Sequence, residues 1–354
     1  MLAEAQAAAG HDVKVFVTNP AKLSRYEEIN GVQIVRLPRL ATVASTPITF
    51  GFLPALASSV PDITHLHFPY PIGELSQLIA GHGRKYVITY HSDVVRTSQQ
   101  KFLRYYRPFL HKVLQKASRI LVTSQNYVFS SPYLLPLASK CEFAPLGIDP
   151  HPFQNALPMY RRGNRPVLLF VGRHRYYKGV DDLIRALVDI EAELLLGGDG
   201  PMRTEWEHLA GKLNLADRVH FLGDIPDDDL PSLYASADLF ILPAKLRAEA
   251  FGTVLLEAMA AGLACVTTEL NTGTSYVVQN EITGLVVPPN NPAQLAMSIN
   301  RLLADAPLRR QMGTAGRERV WREFTVAKMV EHVDAIYQSV LGENQPDIRL
   351  KPIS

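Results

Sequence analysis

Ala248-Glu-Ala-Phe-Gly-Thr-Val-Leu-Leu-Glu-Ala-Met-Ala260 is the stretch that decides how this chain is read. Two carboxylates, Glu249 and Glu257, bracket a glycine and an apolar run. Val254, Leu255, Ala258 and Met259 recur at helical spacing, so Gly252 and Thr253 read as a loop feeding a helix. The first amides of a helix have no intrahelical acceptor and attract phosphate and sugar oxygens. Glu249 then sits on the loop and Glu257 in the helix, one carboxylate for sugar hydroxyls and one for ribose hydroxyls, with amides between. The same pattern fits an amphipathic core helix with a solvated glutamate at each end; the order of the other motifs decides between them.

Outward from this stretch, short β-rich runs alternate with helical patterns. Strands are expected at 13–17, 33–37, 63–66, 86–90, 120–123, 167–171, 193–196, 219–222, 239–242, 264–267 and 284–287. Several are continuous apolar runs, as parallel strands covered on both faces are. Repeated β-α units predict an α/β fold with doubly wound sheets. Proline, glycine and charge cluster over 147–166 ahead of a fresh strand, marking an interdomain linker. A chain of 354 residues is long enough for two domains.

The second half carries two glycine-bearing turns. Strand 167–171 runs into Gly172-Arg-His-Arg-Tyr-Tyr-Lys-Gly179, where Arg173 and Lys178 could clamp a diphosphate or simply be surface bases on a strand–helix turn. The Walker spacing is absent. Gly197-Gly-Asp-Gly-Pro201 follows the next strand, at the carboxyl edge where open α/β sheets bind ligands. It lacks the dinucleotide fingerprint, which disfavours a dehydrogenase, and Asp199 itself reads best as a turn residue. In the first half, His91 closes strand 86–90, and His65 and His67 end the strand before it. No acid–histidine cluster accompanies them, so no metal site is expected.

Composition is that of a globular protein, 47% hydrophobic and 20% charged. Two distant cysteines, Cys141 and Cys265, argue against a disulfide scaffold and suit a reducing cytosol. No secretory signal or membrane-spanning run is visible. Charge is uneven: 15 Lys/Arg against 8 Asp/Glu over 1–147, and 21 against 26 thereafter. Arg96, Lys101, Arg104, Arg107, Lys112, Lys116, Arg119 and Lys140 fall in a stretch without acids, with Phe102, Tyr106, Phe109 and Val113 at helical spacing and Pro108 expected to kink the helix. This basic 96–119 region suggests peripheral contact with an anionic membrane or a phosphate-bearing acceptor, the plainer reading being a solvated basic face. Nucleic acid is not expected, since its usual motifs are absent.

Together these pieces resemble glycosyltransferase family 4, of the GT-B fold. Gly172-Arg173, Lys178-Gly179, Gly198-Asp-Gly-Pro201, Val219-His-Phe-Leu-Gly223, Ala237-Asp-Leu-Phe-Ile-Leu-Pro243, Glu249 with Glu257, and Thr283-Gly284 occur in the family's order. Asp62 with His65-Leu-His67, Val87-Ile-Thr-Tyr-His91 and Pro145-Leu-Gly-Ile-Asp149 fit in the first half. The resemblance spans nearly the whole chain. It implies two Rossmann-like domains facing across a cleft: 1–147 for the acceptor, 148–324 for a nucleoside diphosphate sugar, and 325–354 a helix crossing back to the first, plus a tail.

By position in the motifs, the resemblance assigns Arg173 and Lys178 to the diphosphate, Glu257 to the ribose and Glu249 to sugar hydroxyls. His91 would lie by the reacting carbon. Gly172, Gly198 and the amides around Phe251, Gly252 and Thr253 would line the donor. It implies a retaining enzyme that usually needs no metal ion and no other cofactor, because cationic side chains neutralise the leaving diphosphate. Tyr90-His-Ser-Asp-Val-Val-Arg96 and Thr268-Glu-Leu-Asn-Thr-Gly-Thr-Ser-Tyr276 resemble bacterial mannosyl- and rhamnosyltransferases of surface polysaccharides. GDP-mannose is the leading donor on that basis, with UDP- and dTDP-sugars open, and a lipid-linked or glycan acceptor at the inner face of the plasma membrane.

Two features depart from the family pattern. The loop at Gly273 reads Gly-Thr-Ser where many members carry Gly-x-Pro-Glu, which puts donor contacts there in question. Met1-Leu-Ala-Glu-Ala-Gln-Ala-Ala-Ala-Gly-His-Asp12 already reads as the family's first helix and its glycine cap. The expected first strand and Gly-Gly loop are therefore missing, as in a truncated or mis-started product. A noncatalytic nucleotide-sugar binder is accordingly the competing reading, and a GT-B epimerase the third.

Overall fold

The computed structural model describes residues 1–21, 23–43, 46–81, 83–93, 97–160 and 163–342, with backbone only for 97–105. They form two compact units, Met1–Pro145 with the segment from Val326, and Leu146–Thr325.

The first unit opens with α1 (Leu2–Ala8), closed by Gly10 at φ +96°. β1 (Lys14–Asn19), β2 (Arg25–Ile29) and β3 (Val32–Pro38) form a sheet of order β1-β3-β2, β1 parallel and β2 antiparallel to β3. The β2–β3 connection is Asn30-Gly31, both at positive φ, as a tight hairpin turn demands. That signal marked β2, which the expected strands omit. β4 (Ala41–Val43) pairs with β5 (Thr46–Ile48), and α2 (Phe52–Ala57) follows. Then come β6 (Thr64–Phe68), α3 (Pro71–Ala80), β7 (Tyr86–Tyr90), α4 (Thr97–Lys116), β8 (Arg119–Val122), α5 (Gln125–Ser130) and β9 (Cys141–Phe143). Their strands make a second, wholly parallel sheet of order β6-β7-β8-β9.

The strands of this unit thus lie mainly in two sheets, with β1 ending one and β6 the other. Neither strand is fully covered, whereas β7 is buried at every residue. Helices hold the pieces together. Phe16 of β1 packs with Val35, Leu37 and Phe52 beside Tyr70 and Ile72, which begin α3. Leu2 of α1 joins Val87, Leu121 and the apolar face of the last helix, Val326–Leu341.

The second unit is built from β10 (Val167–Val171), α6 (Val180–Ala186), β11 (Glu193–Gly197), α7 (Arg203–Lys212), β12 (Val219–Gly223), α8 (Leu230–Ala235) and β13 (Leu239–Leu242). α9 (Thr253–Ala260), β14 (Ala264–Thr268), α10 (Gly273–Val277), β15 (Gly284–Val287), α11 (Pro292–Ala304) and α12 (Ala306–Glu323) complete it. All six strands are parallel, in the order β12-β11-β10-β13-β14-β15. β10, β13 and β14 are buried at every residue, which is why they read as unbroken apolar runs. The winding direction reverses between β10 and β13, which makes their carboxyl ends the place where such sheets bind ligands.

Within the expected linker, Met159 N–H donates to the Ser232 carbonyl (3.2 Å) and to Ser236 Oγ (3.0 Å), and the Tyr160 hydroxyl to Glu193 (2.7 Å). One sequence expectation is corrected. On α4, Leu110, Val113 and Leu114 are buried while Phe109 is exposed, so the apolar stripe is rotated from the expected one. Of the basic residues, Lys140 donates to the carbonyls of Gln115 and Ala117 at the end of α4, and Arg119 pairs with Glu142 at 3.3 Å. Arg107, Lys112 and Lys116 remain exposed. Arg96 and the side chains of Lys101, Phe102 and Arg104 lie outside the described residues.

A buried acid in α3 makes the first unit pH-sensitive. Glu74 is 1% exposed; its Oε1 accepts the Tyr70 N–H at 2.6 Å. Burial raises its pKa from the ordinary 4.5 to about 7. Between those values the unfolded chain ionises Glu74 and the folded chain does not, so its contribution is full below pH 4.5 and is lost as pH rises to about 7. Glu74→Gln cannot ionise. Denaturant titrations across this range should show the variant gaining on wild type by about 3 kcal/mol as pH rises. A constant difference between the two proteins would show that Glu74 is not held neutral.

Candidate functional site

The loops leaving β10, β11 and β12 are stitched together by glycine. Gly172 N–H donates to the Gly197 carbonyl (3.0 Å), and Gly198 N–H to the Gly223 carbonyl (2.7 Å). Gly198 has φ +107°, and a Cβ there would lie 2.4 Å from the Gly172 oxygen, a contact no larger residue permits. At the other end of the β10 loop, Gly179 (φ +69°) would place a Cβ 2.0 Å from the Pro243 oxygen just after β13. Lys245 reinforces that junction. Its N–H donates to the Tyr177 carbonyl (2.8 Å), and its ammonium reaches Asp181 (2.6 Å) and Asp182 (3.0 Å).

This clamp brings Lys178 to Glu249. Nζ lies 2.6 Å from Oε2, and both side chains are 10% exposed. The angle falls outside hydrogen-bond geometry, so the contact is an ion pair held by position and charge. Glu249 is braced from behind by the segment before α10: the Thr272 hydroxyl donates to the Glu249 carbonyl (2.9 Å), and Gly273 N–H to the Ala250 carbonyl (2.7 Å). The Gly-Thr-Ser loop whose donor contacts were in question therefore shapes the site as a support. A Cβ on Gly273 would meet Phe251 at 2.6 Å.

Phe251 itself is buried, its ring edge-on to Phe324 at 6.2 Å, so its side chain belongs to the core and only its backbone can serve a ligand. Gly252 (φ +78°) caps α9 and Thr253 begins it, leaving the first amides of the helix without intrahelical acceptors. Within α9, Glu257 accepts from the Tyr234 hydroxyl at 2.6 Å. Burial raises its pKa, the Tyr234 hydrogen bond opposes this, Asp227 adds to the rise and the charge of Lys178 lowers it. Arg173 is exposed on the β10 loop. One cation fixed in an ion pair, one free to move, two carboxylates and a helix start thus share the switch point. That set suits an anionic ligand rich in hydroxyls.

His91 lies in the first unit. It follows β7, donating its N–H to the Phe68 carbonyl (3.1 Å), with its Nε2 3.0 Å from His67 Nδ1. His65 and His67 are residues two and four of β6, not its end. Burial lowers the pKa of all three, His91 to about 4. Asp199 is a turn residue, accepting the Gly200 N–H at 2.6 Å. Sequence reasoning passed over Tyr234 and His174. His174 is fully buried against Trp206, ring centroids 4.9 Å apart, and its N–H donates to the Asp199 carbonyl (2.8 Å), so it anchors the loop that presents Arg173. Its position right after Arg173 in a strand-end loop was the available signal. Among the described residues no group of three or more His, Cys, Asp or Glu side chains is placed to hold a metal ion.

Tyr234→Phe leaves the ring in place and strips Glu257 of its buried donor. Chemical denaturation should register a loss of about 1–3 kcal/mol; an unchanged midpoint and slope would mean that Glu257 is satisfied some other way.

The profile of the glycosyl transferases group 1 matches residues 159–319, and that of the glycosyl transferase 4-like domain matches residues 1–128. The chain is similar to the D-rhamnosyltransferase WbpZ of Pseudomonas aeruginosa, 35% identical over 269 residues that cover 75% of this chain and 70% of that one. It is similar to the O-antigen chain mannosyltransferase C of Escherichia coli, 29% identical over 346 residues, 96% of this chain and 92% of the relative. Among solved structures, sucrose-phosphate synthase from Thermosynechococcus elongatus superposes with a TM-score of 0.80 at 27% identity, covering 97% of this chain and 92% of that one. Motif order, strand order and these likenesses agree, and the chain belongs to the group 1 glycosyltransferases of family 4, enzymes of the GT-B fold.

Proposed function

We propose that this glycosyltransferase takes mannose from GDP-mannose and transfers it, with retention, to a lipid-linked or glycan acceptor in the synthesis of a bacterial surface polysaccharide. The observation that carries the donor reading is the grouping of Arg173, the Lys178–Glu249 pair, Glu257 and the start of α9 at the switch point. Two of the similar proteins are a mannosyl- and a D-rhamnosyltransferase. D-Rhamnose is 6-deoxy-D-mannose, so the two names point to sugars that share the manno arrangement of ring hydroxyls, which supports a mannose-configured donor.

Negative charge grows on the diphosphate as the glycosidic bond breaks. Cations and amides already aimed at it stabilise that charge without reorganising. Lys178 is suited to this because Glu249 and the surrounding burial hold it in one place, while Arg173 can swing onto the outer phosphate. In this reading the two cations and the α9 amides carry the neutralisation that a divalent metal would otherwise supply. The Glu249 carboxylate, with an oxygen left over from the ion pair, accepts from sugar hydroxyls, and Glu257 accepts from the ribose.

The exposed Arg107, Lys112 and Lys116 beside the exposed Phe109 support contact with an anionic bilayer, where a lipid-linked acceptor would be met. Among the described residues no helix is long and apolar enough to cross a membrane.

Turnover of GDP-, UDP- and dTDP-sugars by the purified chain, with the product anomer read by NMR, tests the assignment. GDP-mannose should be consumed with retention, and Arg173→Ala should lose about a hundredfold or more in kcat. Preference for a UDP-sugar would overturn the donor, and an Arg173→Ala variant within about threefold of wild type would overturn the role of the loop.

A further inference from the structure

The first unit stacks three imidazoles in a column. His65 and His67 rings are parallel within 15° at 4.8 Å, and His67 and His91 within 14° at 5.3 Å. The column is fixed at its inner end. His65 is sealed between the Tyr337 hydroxyl on Nδ1 (2.5 Å) and Thr89 Oγ1 on Nε2 (2.6 Å), so its ring cannot turn. His67 lies flat on His65, and its Nδ1 meets His91 Nε2 at 3.0 Å.

That last contact sets a tautomer. A bond between two imidazole nitrogens needs one to carry hydrogen and the other a lone pair. If His67 donated from Nδ1, both rings would carry their hydrogen on Nδ1. If His91 donates from Nε2, both carry it on Nε2, the form neutral histidine prefers intrinsically. The second arrangement leaves the Nδ1 lone pair of His91 open.

We propose that His67 is a positioning residue for His91: it accepts the His91 Nε2–H, locks that ring in one tautomer and orientation, and leaves Nδ1 as the acceptor for a hydroxyl of the sugar substrate. This rests on the glycosyltransferase reading for its ligand, and on the His67–His91 bond for everything else. An acceptor at Nδ1 suits a hydroxyl donor and excludes a phosphate oxygen, so His91 is suited to sugar recognition rather than to phosphate binding.

His67→Asn places an amide oxygen near the position of Nδ1 and keeps an acceptor; His67→Ala removes it. Long-range 15N NMR of the imidazoles, recorded without substrate, should show His91 as the pure Nε2–H tautomer in wild type and His67→Asn, and as a mixture in His67→Ala. In donor turnover His67→Asn should stay within about threefold of wild type, and His67→Ala should lose about tenfold or more in kcat, the rate equivalent of one hydrogen bond. An unchanged His91 tautomer in His67→Ala, or equal loss in both variants at unchanged thermal stability, would overturn the proposal. A wild-type chain that turns over no nucleotide sugar would overturn the ligand assignment, and the tautomer measurement would still decide the His67–His91 bond.

Discussion

The ion pair between Lys178 and Glu249 is the constraint around which the second unit is arranged. Two charges with side chains only 10% exposed are costly to hold, and removing either partner strands the other in a low-dielectric setting. The surroundings are built to make the pair unavoidable. Gly179 lets the β10 loop touch the backbone after β13, Lys245 ties the same two segments through Asp181 and Asp182, and Thr272 with Gly273 props the Glu249 loop from the far side. A buried ion pair is weak evidence for stability in itself. What the pair does here is fix a cation and a carboxylate side by side at the carboxyl edge of the sheet.

The sheet order explains why these parts meet. β10 and β13 are neighbours in space though far apart in sequence, and winding reverses between them. The carboxyl ends of strands at such a reversal are where open α/β sheets bind ligands, and α9 starts beside them. Glycine at 172, 198 and 179 lets the backbones approach closely there, while the fully buried strands below keep the loops from shifting. Tyr234, from the helix before β13, reaches across to hold Glu257. Preorganisation of this kind is what an electrostatic mechanism requires.

Much of this was legible in the sequence. Strands such as Val167–Val171 and Leu239–Leu242 announce themselves because burial on both faces removes any polar alternation. Arg173, Lys178, Glu249 and Glu257 stand out by motif order, three in the loops that follow β10 and β13 and Glu257 within α9. The Lys178–Glu249 contact does not, because it joins two segments whose proximity follows from sheet order alone. Phe251 was singled out for its backbone amide, and nothing local in the sequence shows that its side chain lies in the core. β2 escaped notice because Arg25–Ile29 is polar and mostly exposed, although Asn30-Gly31 marked its turn. Lys140 and Arg119 read as parts of a basic surface because nothing local shows that a carbonyl pair and Glu142 await them.

The most direct measurement is a crystal structure of the chain soaked with GDP-mannose at saturating concentration. The account predicts the diphosphate against Arg173, Lys178 Nζ and the first amides of α9, the ribose on Glu257, and the sugar hydroxyls on Glu249. A nucleotide seated elsewhere on the second unit, with the Lys178–Glu249 pair undisturbed and uncontacted, would contradict it.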